Sequence, residues 1–331
     1  MYERKHNLTF EGVFSNLCLE FIKYKRGLGH KYSIGSQYIV HDICSCLNRM
    51  NINDIILTRD TIETLAKRRS GESLETQAIR IRFLQQFAVF LTIKGYDAYV
   101  YPKHNMPRYK YDFRPYIFSH DQIIAIFKAS DKIIPCKHSP KAHLVYPALI
   151  RTLYACGLRS MEARKLKICN VNLDDGILYI EKSKNNTSRY VPMSKSLRDY
   201  CREYAFTMKF SKNDSGYFFP APDKGYYHPF TLAGRCHKIF KEAGIPRLSN
   251  GRFPRVHDIR HSHIGHALTK LIKKEKMDVY TAVPLIAAYV GHTYLRDTER
   301  YLHLPEFNFP DIIKIGQTVI ANAVREVKYE E

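Results

Sequence analysis

The chain has 331 residues, enough for one large domain or two ordinary ones with a sizeable buried core. A hydrophobic content of 45% excludes a disordered chain, because disordered segments lack the apolar surface that offsets the entropy of ordering. The 52 lysines and arginines outnumber 32 acidic residues, so the formal net charge is +20. This balance favours a polyanionic partner, nucleic acid above all, although charge alone leaves open a basic protein without one.

The eight cysteines include no CxxC pair, which indicates reduced thiols rather than a disulfide framework or a zinc ribbon. No apolar run approaches the length of a membrane span, and the first ten residues lack the apolar centre of a signal peptide. We therefore expect a cytoplasmic protein that acts on DNA and has no membrane partner.

Residues 1–105 are predicted to form a small helical DNA-binding domain. Apolar residues recur at helical spacing in three segments, Phe14–Lys25, Ser36–Met50 and Asp60–Arg69. In a fourth helix, capped by Ser73, the apolar residues Ile79, Phe83, Phe87 and Phe90 share a face. Basic side chains on the outer helix faces suggest a surface that contacts DNA, although a solvated face is the plainer interpretation of any single one. The candidates are Lys25, Arg26, Lys31, Arg80 and Arg82.

A stretch over 106–118 that is rich in proline, tyrosine and basic residues is predicted to be a linker, followed by a second domain over 119–331. Ser119 can cap its first helix, an apolar helix follows over His143–Tyr154, and Gly157 permits a tight turn before a helix that carries Arg159. GILYIEKSKNNTSRYVP alternates around a polar tip, which is typical of a β-hairpin. The predicted fold class is therefore mainly α with a small β-sheet (α+β).

Four segments of this second domain carry residues suited to phosphate chemistry. Their sequences are GLRSMEARKL, KSKNNTSRYVP, HDIRHSH and GHTYLRDTERY. His257 and Arg260 lie three residues apart, so one helical turn places them on the same face. Tyr301 follows His292 by nine residues.

In this order the four segments resemble the tyrosine recombinase (phage integrase) family over Ser119–Leu304, and the first domain more loosely resembles that family's core-binding, SAM-like domain. The resemblance implies a site-specific DNA recombinase of the integrase or transposase type. Such an enzyme cleaves and rejoins strands through a 3′-phosphotyrosyl intermediate without a metal, a cofactor or ATP. The matching catalytic positions are Arg159, Lys184, His257, Arg260, His292 and Tyr301, with Glu162 supporting Arg159.

Physical chemistry assigns each of these residues a task. Two arginines can neutralise the charge that develops on a phosphodiester in the transition state. A phenol with a pKa of about 10 needs a base, for which His257 is the candidate, while His292 would donate to a phosphate oxygen. Lys184 on the hairpin would protonate the leaving 5′ oxygen. Lys182 is the alternative if the hairpin register shifts by two residues.

The resemblance also implies partners. They are double-stranded DNA with inverted-repeat recombination sites, other copies of the chain in a homo-tetrameric synaptic complex formed from free monomers, and further recombinases in some systems. The tail after Tyr301 is predicted to hold an amphipathic helix, which either closes its own core or packs on a neighbouring subunit. A long lysine-rich connection between HDIRH and GH resembles recombinases carried by mobile genetic elements.

Several alternatives compete with this interpretation. Tyr280, Tyr289 and Tyr294 lie near Tyr301, but Tyr289 falls in an apolar run and Tyr294 is too close to His292 to match the family. His257 and His261 have the spacing of zinc ligands, yet a third ligand is missing from the sequence nearby, so His261 is better interpreted as a partly buried neighbour. A type IB topoisomerase or a DNA-binding regulator without activity could share the fold.

Overall fold

The computed structural model describes residues 8–30, 32–109, 114–181, 187–211 and 214–302. Its contacts divide the chain into two compact units, Met1–Asp112 and Phe113–Glu331, each with its own buried core. The predicted linker over 106–118 spans this division, and its residues 110–113 lie outside the described residues. The predicted tail helix lies outside them as well.

The first unit is a helical domain. Its helices are α1 (Ser15–Gly27), α2 (Ile34–Arg49), α3 (Arg59–Ala66) and α4 (Leu74–Ile93), followed by a 3-10 turn at Lys103–Asn105. Thr58 and Ser73 cap α3 and α4 because their hydroxyls accept backbone N–H groups that lack a partner within the helix. At the centre of the core, Phe14, just before α1, and Phe21 of α1 both meet Phe87 of α4 edge to face, and Phe90 of α4 packs against Phe21 and Phe87.

The second unit combines helices with one small sheet, as predicted from the sequence. The helices are α5 (His120–Asp131), α6 (Ala142–Ala155), α7 (Ser160–Arg164), α8 (Lys195–Met208), α9 (Pro229–Glu242), α10 (Val256–Thr269), α11 (Val279–Val290) and α12 (Arg296–Glu299). A 3-10 turn at Ile168–Asn170 precedes the sheet, and a π-helical turn at Lys270–Lys274 extends α10. None of the described helices combines the length and apolarity needed to cross a bilayer.

The sheet has three antiparallel strands in the order β1 (Val171–Asn172), β2 (Ile177–Ile180) and β3 (Arg189–Pro192). Strands β2 and β3 pair from Ile177 with Pro192 to Ile180 with Arg189, so the predicted hairpin is present. Strand β1 adds a two-residue edge that alternation in the sequence did not indicate. The connection between β2 and β3 includes residues 182–186, which are not among those described.

Two local features of this unit place the ends of helices where the functional side chains are needed. Ser119 and Gln122 form a reciprocal capping box at the start of α5, which confirms the predicted start of this helix. Gly157 has a φ of +56°, a conformation that glycine adopts readily, and turns the chain from the buried helix α6 into α7. Arg159 therefore stands at the first turn of a short helix beside the core.

Candidate active site

Arg159 is the N-cap residue of α7 and is fixed at both ends. Its backbone N–H donates to Glu162 Oε2 at 2.9 Å, and its Nη1 donates to Glu162 Oε1 at 2.8 Å. Its Nη2 donates to the carbonyl oxygen of Gly291 at 2.7 Å, at the end of α11. Since a guanidinium has five N–H donors, these contacts orient Arg159 and still leave donors for a ligand.

Glu162 is a buried carboxylate that serves several guanidinium groups. Besides Arg159, it accepts from Arg189 Nη1 at 3.1 Å and from Arg189 Nη2 at 3.0 Å, and Arg260 Nη1 lies 3.9 Å from its Oε2. Burial alone would raise the pKa of the Glu162 carboxyl, but the hydrogen bonds and charge of Arg189, with those of Arg159, lower it below the ordinary value. The carboxylate therefore stays ionised at neutral pH beside Arg159.

Arg260 is 1% exposed and lies one turn into α10. Its Nη1 donates to the carbonyl oxygen of Gly157 at 2.7 Å, and its Nη2 donates to that of Val290 at 2.8 Å. Burial, reinforced by the charge of Arg159, lowers the pKa of Arg260 to about 9, so the guanidinium remains charged at neutral pH. The structure thus brings the two predicted arginines together around Glu162 and the last residues of α11.

His257 and His292 join this cluster and are both neutral at pH 7. Burial and the charge of Arg260 lower the pKa of His257 to about 4 and that of His292 to about 3. His292 follows the left-handed residue Gly291, and its Nδ1 lies 2.7 Å from the Thr298 hydroxyl. Its ring is nearly parallel to that of Tyr301, with 6.4 Å between the centroids.

Tyr301 is 2% exposed and packs among apolar side chains of α10 and α11. Burial raises the pKa of Tyr301 to about 12. Its hydroxyl lies 2.5 Å from Nδ1 of His261, whose pKa falls to about 2 because of burial and the neighbouring His257. Both groups are therefore uncharged at neutral pH, and the hydrogen bond joins a neutral phenol to a neutral imidazole.

The contact between His261 and Tyr301 was not predicted. The sequence predicts His261 as a partly buried neighbour and His257 as the base for the tyrosine. The rings of His257 and His261 meet edge to face with centroids 4.7 Å apart, because the two residues are one turn apart on α10. Among the described residues, no group of three or more histidine, cysteine or acidic side chains could hold a metal ion, so the zinc alternative finds no site there.

Arg189 is a residue of this cluster that the sequence pattern did not predict. It begins β3, and its Nε donates to the carbonyl oxygen of Tyr289 at 3.1 Å while its two terminal nitrogens bind Glu162. Its position in the hairpin sequence SRYVP, five residues after Lys184, was the only available signal. Lys184 itself, with the alternative Lys182, lies outside the described residues.

The DNA-binding candidates of the first unit occupy different environments. Arg82 and Arg26 are exposed, Lys25 is half-buried, and Lys31 lies outside the described residues. Lys25 and Arg82 line a groove of about 400 Å³ together with Lys103. Arg26 is not among the residues that line this groove.

The predicted exposed position is wrong for Arg80, which is 5% exposed. Its guanidinium forms an ion pair with Glu72 at 2.8 Å and donates to the carbonyl oxygens of Leu65 and Lys67, so it fastens α4 to the end of α3. Glu72 also accepts the backbone N–H of Arg69, and α3 ends at Ala66 instead of continuing to Arg69. Arg80 is a structural residue of the domain.

The α+β unit thus gathers three arginines around the carboxylate of Glu162 and holds His257, His292 and the buried Tyr301 in the same unit. The phage integrase family model matches residues 117–306, more than half of the chain, and the protein belongs to this family. A putative integrase/recombinase, y4rB, of Sinorhizobium fredii (strain NBRC 101917 / NGR234) is 26% identical over 297 residues, which cover 88% of this chain and 92% of the relative.

Solved structures show the same fold. The XerH site-specific recombinase, bound to its palindromic difH substrate in a post-cleavage complex, superposes with a TM-score of 0.61 at 20% identity, over 91% of this chain and 95% of XerH. The Tn1549 transposon integrase (residues 82–397, Y379F), in complex with transposon right end DNA, gives a TM-score of 0.61 at 12% identity, over 86% of this chain and 94% of that one. At these identities the likeness shows the fold of the chain alone, so the chemistry has to be argued from the residues of the site.

Proposed function

We propose that the protein is a site-specific DNA recombinase that cleaves and rejoins strands through a phosphotyrosyl intermediate at Tyr301. The observation that carries the proposal is the gathering of Arg159, Arg260 and His257 in the unit that holds the buried Tyr301, whose hydroxyl is hydrogen-bonded to His261, one turn from His257. Membership of the phage integrase family supports it. The named substrates of XerH and of the Tn1549 integrase, both DNA, support double-stranded DNA as the substrate.

The reaction is a transesterification in which side chains carry each proton. The Tyr301 oxygen attacks a backbone phosphorus, the bond from phosphorus to the 5′ oxygen breaks, and the electron pair leaves with that oxygen. Arg159 and Arg260 bind the nonbridging oxygens, whose charge rises in the transition state, and such groups commonly contribute about 3–4 kcal/mol each. The phenol proton passes to a histidine, and Lys184 supplies a proton to the 5′ oxygen. A 5′ hydroxyl of a partner duplex then attacks the phosphotyrosyl bond and releases Tyr301. Because one phosphoester replaces another at each step, the reaction needs no external energy source.

His257 is the base, and His261 holds the tyrosine before DNA binds. The charges of Arg260, Arg255 and Arg159 all act on His257, which places it beside the phosphate-binding groups. His261 is 7% exposed, and its hydrogen bond to Tyr301 belongs to a state in which the hydroxyl cannot contact DNA. Binding of DNA must therefore free Tyr301 from His261 before attack.

The first unit supplies a DNA-binding surface through Lys25 and Arg82, and the recombination complex is a tetramer on inverted-repeat sites. The lysine-rich turn after α10 (Lys270, Lys273, Lys274 and Lys276) fits an enzyme of a mobile genetic element. Such a protein works in the cytoplasm, on the nucleoid. Sedimentation of the protein with and without paired sites measures the step from monomer to tetramer.

The decisive experiment replaces Tyr301 with phenylalanine. A nicked duplex carrying a recombination site, to be sought as inverted repeats in the DNA beside the gene, traps the covalent adduct, because the cleaved fragment diffuses away. Wild-type protein and the control Tyr294→Phe, at a tyrosine that is 59% exposed, should form the adduct, whereas Tyr301→Phe should bind the DNA without forming it. Adducts that persist in Tyr301→Phe would overturn the assignment, and relaxation of a plasmid without any target site would indicate a topoisomerase.

A further inference from the structure

Arg189 connects three parts of the catalytic unit through one side chain. It lies on β3, where it pairs with Ile180 of β2, and its guanidinium reaches both oxygens of Glu162 on α7. The Nε hydrogen goes to the carbonyl oxygen of Tyr289 near the end of α11. The Arg189 side chain is 12% exposed, so these contacts form largely out of water, where charge-assisted bonds are strongest.

The same guanidinium also packs against the turn that precedes His292. A Cβ atom built on Gly291 would lie 3.1 Å from Arg189 Nη1 and 3.2 Å from its Cζ, so the glycine backbone and the guanidinium are in close contact. From the other side, the carbonyl oxygen of Gly291 accepts from Arg159 Nη2 at 2.7 Å. The two arginines therefore hold this turn between them.

Arg189 and Arg159 share the charge of Glu162 in a fixed pattern. Each carboxylate oxygen accepts one bond from each arginine, counting the Arg159 backbone N–H, at distances from 2.8 to 3.1 Å. Removal of Arg189 would leave Glu162 with Arg159 and the more distant Arg260 as its cationic neighbours. The carboxylate could then shift, and the Arg159 side chain would shift with it.

We infer that Arg189 is a positioning residue of the cleavage reaction: it fixes Arg159 through Glu162 and His292 through the Gly291 turn, and it ties both to strand β3. The inference rests on the proposed function, because it concerns the rate of strand cleavage. In this role Arg189 contacts neither the phosphate nor the leaving group. A purely structural arginine would contribute to stability but would leave the rate constant of the folded enzyme unchanged.

The test compares Arg189→Ala with Arg151→Ala in single-turnover cleavage of the nicked duplex, with the protein in excess. Arg151 is a matched control, because it also binds a carboxylate with both terminal nitrogens, Asp131 at 2.9 and 2.7 Å, away from the site. Arg189→Ala should slow cleavage about 10- to 100-fold, the usual range for residues that orient a functional group, with DNA affinity unchanged. Arg151→Ala should cleave like the wild type. Equal cleavage rates for wild type and Arg189→Ala would overturn the inference.

A double-mutant cycle with Glu162→Gln shows whether Arg189 acts through Glu162. In the Glu162→Gln background, Arg189→Ala should slow cleavage by much less than it does in the wild type, because the shared partner is already lost. If the two substitutions instead slowed cleavage by factors that simply multiply, Arg189 would not act through Glu162. If Arg189→Ala does not fold, Arg189→Lys replaces it in the same cleavage measurements, because lysine keeps the charge but cannot make the paired contacts with Glu162.

A substrate with sulfur at the 5′ bridging position separates this role from leaving-group protonation. A thiolate leaves without a proton, since thiols have a pKa of about 8.5, so this substrate should restore cleavage by a Lys184→Ala variant. It should not restore Arg189→Ala, and restoration would overturn the inference while leaving the recombinase proposal intact. Absence of an adduct from wild-type protein would instead remove the proposed function, and the inference with it.

Discussion

Replacing Gly157 with alanine should destabilise the catalytic unit through two separable effects. The residue has a φ of +56°, which costs an alanine about 1–2 kcal/mol. Its new Cβ would also lie 2.4 Å from Cδ2 of His263 and 3.0 Å from Nε2. The His263 ring stacks on Tyr289 and meets Tyr154 edge to face, so it cannot simply swing away. Overpacking of this kind costs about 1–3 kcal/mol, which brings the sum to about 2–5 kcal/mol.

Gly244 provides the control for the backbone effect. It has a φ of +69°, but a Cβ there would meet nothing within 4 Å, so Gly244→Ala should cost only about 1–2 kcal/mol. Thermal unfolding followed by circular dichroism measures both. For a unit of this size each kcal/mol shifts Tm by about 2–4 °C, so about 4–20 °C is expected for Gly157→Ala and about 2–8 °C for Gly244→Ala. Equal shifts in the two variants would refute the packing argument.

The function of Gly157→Ala tests the same geometry. The carbonyl oxygen of Gly157 accepts the Arg260 guanidinium, so a turn displaced by the His263 contact should misplace Arg260 and slow cleavage. The second change His263→Ala should recover part of the lost stability by removing the contact. A folded Gly157→Ala protein that cleaves at the wild-type rate would show that the turn does not position the arginine.

Three further results are expected. His257→Ala should lose most cleavage, whereas His261→Ala should retain it, and the reverse pattern in the adduct assay would make His261 the base. Stability should fall between pH 6.5 and 4, because burial lowers the pKa of His263 to about 4 while the unfolded chain takes up the proton near 6.5. The loss is at most about 1.4 kcal/mol per pH unit for each such histidine, and urea unfolding at pH 7 and pH 5 with equal free energies would contradict it. Arg80→Ala should lower the free energy of unfolding by about 3–5 kcal/mol, because it leaves the buried Glu72 without its partner. Arg82→Ala should leave stability unchanged and reduce the salt dependence of DNA binding by about one counterion, so equal losses of stability in the two variants would contradict their placement.

The sequence predicted those features that depend on local spacing. Ser119 caps α5 with Gln122, His257 and Arg260 share the first turns of α10, and the alternating segment forms β2 and β3. These succeed because caps, helical turns and hairpins involve residues a few positions apart. The fold class followed from the same signals.

Contacts between distant segments could not be predicted in this way. Arg189 binds a carboxylate 27 positions earlier and a carbonyl 100 positions later, and no local period reports such pairing. Arg80 and Arg82 looked equivalent in sequence, yet side chains two positions apart on a helix point in nearly opposite directions. Helix α4 is buried on more than one side, since Ala78, Ile81 and Leu84 lie in the core beside Phe87, so its apolar pattern did not identify a single outer face.

The single carboxylate of Glu162 has a consequence for how such a site can change over time. Two guanidinium groups bind it directly and a third lies 3.9 Å away, so one substitution there would disturb Arg159, Arg189 and Arg260 at once. Small adjustments of one arginine at a time are then hard to select, because each alters the alignment of the others. Descendants of this chain should therefore either keep the whole set or lose it together.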